Sequence, residues 1–270
     1  MQKIPVYVIS LECARDRRAL MKTHLDGLKI EHELFNAVEG LKIDPGYREK
    51  VNPNKNMSLG ALGCYLSHVH VYEHMVATHT LVALILEDDT VLSYRVKALL
   101  ENGCQSLDFD YCFLGSADYG DEGFVFYDAG SAVELGSGFK AYLLSSGPYC
   151  LNAYLITLEG AKKRIGCALP ARTAIDHYHF LPYKPRFRAI IPMLAFLNEQ
   201  TAIESRASER WTISQKQLHR YWWFYPLRDL VKLRGLWKLL SLRRVKFSSP
   251  VNWQSFASAF RVVPRNWLEP

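Results

Sequence analysis

Three adjacent acids, Glu87, Asp88 and Asp89, follow directly on the apolar run LVALIL at residues 81–86. Carboxylates this close repel one another, and an unpaired buried carboxylate is costly. Something positive has to sit there. A hard divalent cation, Mg²⁺ or Mn²⁺, takes carboxylate and water oxygens and meets that need. Such an ion neutralises the charge that develops on a leaving diphosphate. On these residues alone, nucleotide-sugar transfer, phosphoryl transfer and phosphate hydrolysis all stay open.

A second acidic pair competes. Asp108 and Asp110 form a literal D-x-D, but they precede the apolar run YCFLG, whereas Glu87, Asp88 and Asp89 follow one. In open α/β sheets ligands gather at the carboxyl ends of strands, so the cluster after the strand is preferred. Asp108 and Asp110 read instead as a strand-entry loop or a helix cap. Arg15, Arg17 and Arg18 open a helix, where at least one is a candidate for donor phosphate and the others form a solvated face. His70 and His74 stand four apart, the spacing of a metal pair, but with no third ligand in view they read as packing. His177, beside Asp176, is a candidate further metal ligand. Gly136-Ser137-Gly138 is too short to be a phosphate loop.

The elements that must position these residues follow from periodicity. VYVISL at 6–11, EHELFN at 31–36, LVALIL at 81–86, YCFLGS at 111–116 and AYLIT at 153–157 read as strands. CARDRRALMKTHLDGL reads as a helix through Leu20, Met21, His24 and Leu25. A second helix starts from a cap at Ser58 and puts Leu62, Leu66, Val69 and Val76 on one face. Strands alternating with helices predict an α/β domain with a mostly parallel sheet flanked by helices.

The 270-residue chain carries a net charge of +6, unevenly spread. Residues 211–270 hold 11 Lys/Arg against Asp229 and Glu269, leaving 22 Lys/Arg against 25 acids in residues 1–210, so the two parts carry +9 and −3. The predicted division is a catalytic domain over 1–210 and a basic, aromatic, helical C-terminal segment over 211–270. In that segment Leu230, Leu233, Trp237 and Leu240 share a helical face among cations, a pattern suited to an anionic membrane surface. No motif reads nucleic acid. The six cysteines include no C-x-x-C pair and read as small hydrophobes, not a zinc site. No apolar run is long enough to span a bilayer, and no signal peptide is visible, so the expected location is cytoplasmic.

VISLECARDRR, SLGALGCYLSHVHVYEHM, ALILEDDT and the later AYLIT…PARTAIDHYHF, in this order and spacing over about residues 5–205, resemble glycosyltransferase family 25, the lipopolysaccharide-type β-galactosyltransferases related to collagen galactosyltransferases. GCYLSH followed after a helix by LEDD is the specific part. The resemblance implies a GT-A-like nucleotide-sugar-binding fold, a UDP-sugar donor, a divalent metal (Mn or Mg) and inversion at the transferred carbon. It puts Ser10, Arg15 and Arg18 near the donor, Ala37 and Glu39 on the uridine side, and Ser67 and His68 on the helix facing that pocket. Asp88 joins the donor side, Glu87 and Asp89 meet the metal with His177, and Asp176, at the family's later Pro-x-Asp position, is the candidate general base. Where the family has a small Gly-Thr pair, Cys150 and Leu151 stand here, which puts the acceptor side in question.

The expected function is an inverting, metal-dependent transfer of a hexose, galactose foremost, from UDP to a lipopolysaccharide or lipooligosaccharide acceptor. It would take place peripherally at the inner face of the cytoplasmic membrane. The alternatives are a Mg²⁺-dependent phosphoryl-transfer enzyme using the same acids, and a non-enzymatic membrane-surface binding module.

Overall fold

A computed structural model describes residues 3–115, 124–144, 147–148, 150–197 and 242–246. The β-branched run after Pro5 becomes β1 (Val6–Ser10), buried along its whole length. Helix α1 (Arg15–Gly27) returns over the sheet and buries Met21, His24 and Leu25. Leu20, expected on that face, is 41% exposed. Strand β2 (Glu33–Asn36) and the short helix α2 (Pro45–Val51) lead to α3 (Leu59–Ala77), capped by the Ser58 hydroxyl, which accepts from the Ala61 N–H. Strand β3 (Val82–Glu87), a two-residue turn at Asp88-Asp89, β4 (Thr90–Leu92) and α4 (Val96–Asn102) follow.

The second half adds β5 (Tyr111–Phe113), the hairpin β6 (Phe124–Gly136) and β7 (Phe139–Leu144), then β8 (Ala153–Thr157) running into α5 (Leu158–Ile165). Strands β9 (Phe187–Ile190), β10 (Ala195–Leu197) and β11 (Leu242–Lys246) complete the described elements. Nine strands form one sheet in the order β11-β6-β7-β9-β5-β8-β3-β1-β2, while β10 pairs with β4. The α/β class predicted from alternation holds. The sheet is mixed: β1 is parallel to β2 and β3, and β5 to β9, whereas β8 enters antiparallel between β3 and β5.

Two apolar layers cover the sheet, and β3 shows how alternation divides them. Ala83 and Ile85 point to the layer that holds Leu62, Leu66 and Tyr72 of α3 and Ala161 of α5. Leu84 and Leu86 point to the opposite layer, with Met21 and Leu25 of α1 and Leu99 of α4. Both faces are therefore dry, which is why the strand reads as an unbroken apolar run and not as an alternating one.

Of residues 211–270, those described are β11, antiparallel to β6. The helical reading of the tail therefore does not extend to these five residues. Without them β6 would present a bare edge, and backbone pairing is what an edge strand lacks. The face of Leu230, Leu233, Trp237 and Leu240 lies outside the described residues. Among the described residues no helix is long and apolar enough to cross a membrane.

Candidate functional site

Because β1, β2 and β3 are parallel and in register, they end level. Ser10 pairs with Asn36, and Ile9 with Glu87, so Ser10, Asn36 and the Glu87-Asp88-Asp89 group share one rim at the strands' carboxyl ends. The Ser10 hydroxyl donates to Asp88 Oδ2 at 2.5 Å. Arg17, one turn into α1, supplies the positive charge: its Nη2 pairs with Asp88 Oδ1 and donates to Asp89 Oδ2 at 2.9 Å. The resemblance puts Arg15 and Arg18 near the donor; the arginine that pairs with the acids is Arg17. Arg15 is exposed. Arg18 donates to the Ser10 carbonyl at 2.6 Å and to Asn36 Oδ1 at 2.7 Å, tying the ends of β1 and β2 together.

One guanidinium does not satisfy two carboxylates. Asp89 is 8% exposed, and its Oδ1 is buried without a hydrogen-bond partner. Burial pushes its pKa up to about 7, with Glu87 and Asp88 adding to the rise and Arg17 opposing it. Burial likewise raises Asp88, against the pull of Arg17 and the Ser10 hydroxyl. A buried oxygen with no donor, beside a partly exposed Glu87, is the environment a hard cation would complete, so the residues present fit a Mg²⁺ or Mn²⁺ site.

The next layer fixes the rim. Ser67 and His68 of α3 are fully buried. The Ser67 hydroxyl donates to the Gly63 carbonyl at 2.6 Å and accepts from the Val38 N–H at 2.8 Å, and the Ala37 N–H donates to the Ser10 carbonyl at 2.8 Å. Ser67 thus holds the 37–39 loop. Ala37 and Glu39, with Leu11, Asn36, Lys42 and Ile43, line a cleft of about 220 Å³ beside the rim. His68 Nε2 lies 3.3 Å from Glu87 Oε1, and its Nδ1 is 2.8 Å from the Tyr154 hydroxyl, which is 2.7 Å from the Tyr72 hydroxyl.

Close backbone approach seats α3 on this loop. A Cβ on Gly63 would lie 2.4 Å from the Val38 carbonyl oxygen and 2.9 Å from the Gly40 nitrogen. Gly63→Ala is therefore expected to destabilise the fold by about 1–3 kcal/mol, read as a lower midpoint in urea unfolding with an unchanged slope.

Asp176 is 8% exposed, and its Oδ2 accepts from the Cys150 N–H at 2.9 Å. Cys150 takes φ +72, a left-handed conformation that suits glycine. Burial first, and then the charges of Glu87, Asp176 and Asp89, push the Cys64 thiol well up. His177 Nδ1 is 2.8 Å from the Thr173 hydroxyl. Among the described residues, the group whose ligand atoms fall within 4.8 Å of one another is Cys64, His68 and Glu87; of the three expected metal ligands only Glu87 belongs to it, and Asp89 and His177 do not.

The rival motifs resolve into structure. Asp108 receives Arg188 Nη2 at 2.8 Å and also pairs with Arg186, while Asp110 receives Lys163 at 2.7 Å and the Arg186 N–H at 2.8 Å. The literal D-x-D is an ion network at the entry to β5. His74 packs edge-on against Tyr7 and Phe35, with ring centroids 5.3 and 5.8 Å away. Gly136, Ser137 and Gly138, all at positive φ, make the turn of the β6–β7 hairpin.

The model of glycosyltransferase family 25 (LPS biosynthesis protein) matches residues 3–179. A glycosyltransferase 25 family member of Anopheles gambiae is 30% identical over 175 residues, covering 58% of this chain and 28% of the relative. Procollagen galactosyltransferase 1-B of Xenopus laevis is 28% identical over 194 residues, covering 66% of this chain and 30% of the relative. The inactive glycosyltransferase 25 family member 3 of Homo sapiens is 28% identical over 194 residues, covering 66% and 31%. The chain spans under a third of the length of these relatives. The matched residues run from β1 through the acidic rim to Asp176 and His177, and the chain belongs to glycosyltransferase family 25.

Proposed function

We propose that the chain is a UDP-sugar-dependent hexosyltransferase that moves galactose, with inversion, to a hydroxyl of a lipopolysaccharide-type glycan. The observation that carries this reading is the acidic rim: three carboxylates level with the ends of three parallel strands, one buried oxygen without a donor, and the Ala37–Glu39 cleft alongside. Family membership and the galactosyltransferase name of one relative support the transfer of a sugar, galactose among the candidates. The cleft is assigned to the nucleoside end of the donor and the rim to its diphosphate. Glu87 and Asp89 would hold a Mn²⁺ or Mg²⁺ ion, which when bound supplies positive charge at the departing diphosphate.

The chain's own residues do the rest. Ser10 and Arg17 fix Asp88 and Asp89 in place, so the rim needs little reorganisation when donor arrives. The acceptor hydroxyl needs a base as it attacks the anomeric carbon, and Asp176, oriented by the Cys150 N–H, is assigned to take that proton. Asp176→Asn is expected to cut transfer about 10²-fold or more while leaving UDP-sugar affinity within about twofold. A collapse of donor affinity would move Asp176 to the donor or metal side.

The assay that tests the reading as a whole is UDP release from a panel of UDP-sugars with defined oligosaccharide acceptors. UDP-galactose should give the fastest acceptor-dependent release; inorganic phosphate as the released product would favour phosphoryl transfer instead. The basic residues of the 211–270 segment outside β11 are assigned to an anionic leaflet at the cytoplasmic face of the membrane. Lys232→Glu, Arg234→Glu and Lys238→Glu together should weaken salt-sensitive binding to phosphatidylglycerol vesicles, each cation contributing about 1 kcal/mol.

A further inference from the structure

The sequence offers no zinc pattern, yet the fold brings a thiol, an imidazole and a carboxylate together at the mouth of β3. Cys64 and His68 stand four residues apart on α3 and so share a helix face. Glu87 closes the group from the strand end, and the three ligand atoms lie within 4.8 Å of one another. Bonds of about 2.0–2.1 Å at a tetrahedral angle separate nitrogen and oxygen ligands by about 3.3 Å. His68 Nε2 and Glu87 Oε1 already stand 3.3 Å apart. Glu87, 26% exposed, and Cys64, partly exposed, leave an approach, while His68 is fully buried and fixed.

We infer that Cys64, His68 and Glu87 form a binding site for a borderline-soft divalent cation of the zinc class, distinct in chemistry from the all-oxygen site of the acidic rim. Thiolate and imidazole select zinc or cobalt over magnesium and manganese. Tyr154 supplies the outer support: with a cation on Nε2, the ring proton sits on Nδ1 and is donated to the Tyr154 hydroxyl 2.8 Å away, which in turn donates to Tyr72. Binding releases the thiol proton to water, and the imidazole binds through an unprotonated Nε2. The two ligand sets share Glu87, so a zinc-class ion removes a carboxylate from the rim that we assign to the hard cation. Zinc is thereby expected to oppose manganese.

The test uses the full chain, stripped with a chelator and titrated with Co²⁺. The expected result is a sulfur-to-cobalt charge-transfer band in the near ultraviolet, displaced by Zn²⁺ and absent in both Cys64→Ser and Cys64→Ala. Zinc affinity, measured against a chromogenic chelator, should fall at least about 10-fold in both variants, with Mn²⁺ affinity changing less than about twofold. The wild-type spectrum decides even if the variants fold poorly: absence of the band overturns the assignment. Persistence of the band in Cys64→Ser places the sulfur on another cysteine and also overturns it. Because the readout is absorbance and metal affinity, it stands apart from the transferase reading.

Discussion

Asp89→Asn is expected to abolish at least about 10²-fold of sugar transfer while making the metal-free protein more stable. Both effects come from one buried oxygen without a partner. The Asp89 carboxyl is pushed from its ordinary 3.8 up to about 7 in the folded chain, by burial first and then by Glu87. Between those two values the folded form keeps a proton that the unfolded form has released. Metal-free stability therefore falls as pH rises from about 4 through about 7, and the deficit is complete above that window. Asparagine carries no charge to bury, and Arg17 keeps Asp88 as a partner. The variant should gain about 1–2 kcal/mol at about pH 8, with the gain vanishing at about pH 4. Calorimetric melting across that range checks the sign. Mn²⁺ should raise the wild-type melting temperature more at about pH 8 than at about pH 6, because proton and cation compete for the same oxygen. It should do little for Asp89→Asn. An Asp89→Asn protein with near-normal turnover in Mn²⁺ would remove the metal from the rim.

Arg17→Ala carries the opposite expectation. It strips the guanidinium from two carboxylates that are 10% and 8% exposed, leaving their charges uncompensated. Truncating one partner of a buried pair costs about 3–5 kcal/mol; Arg17 is itself 23% exposed, so about 2–3 kcal/mol is expected here. Saturating Mn²⁺ should restore much of that loss, because the cation replaces the missing charge. Arg15→Ala, at an exposed position, should change stability by less than about 0.5 kcal/mol. Urea titrations of the two variants, with and without Mn²⁺, separate the roles. A loss in Arg17→Ala that Mn²⁺ leaves untouched would make Arg17 a packing residue and not a counter-charge.

The contrast between Arg15 and Arg17 marks where sequence reading stops. The run LVALIL identifies a buried strand, and the acids after it locate the rim, because both depend on local pattern. The Ser58 cap and the face of α3 are local in the same sense. Which arginine of RDRR turns toward Asp88 depends on the angle at which α1 leaves β1, and no periodicity encodes that. Strand direction is equally hidden. AYLIT is legible as a strand, but its antiparallel entry between β3 and β5 is a matter of tertiary pairing that no local pattern encodes. Cys64 is the clearest instance. Its spacing from His68 is visible in GCYLSH, while Glu87 joins them only when β3 ends beneath α3. The segment 211–270 shows the converse: basic and aromatic spacing reads as helix, yet five of its residues pair with β6 because that edge offers backbone partners.

On the proposed function, the rim of β1, β2 and β3 binds a nucleoside diphosphate through a divalent cation. Titration calorimetry of UDP into the full chain tests it most directly, in Mn²⁺ and again in excess chelator. Saturable one-to-one binding is expected in Mn²⁺, weakening at least about 10-fold in chelator, with the same loss in Asp89→Asn when Mn²⁺ is present. UDP binding of equal strength in chelator, or no UDP binding in Mn²⁺, would contradict it.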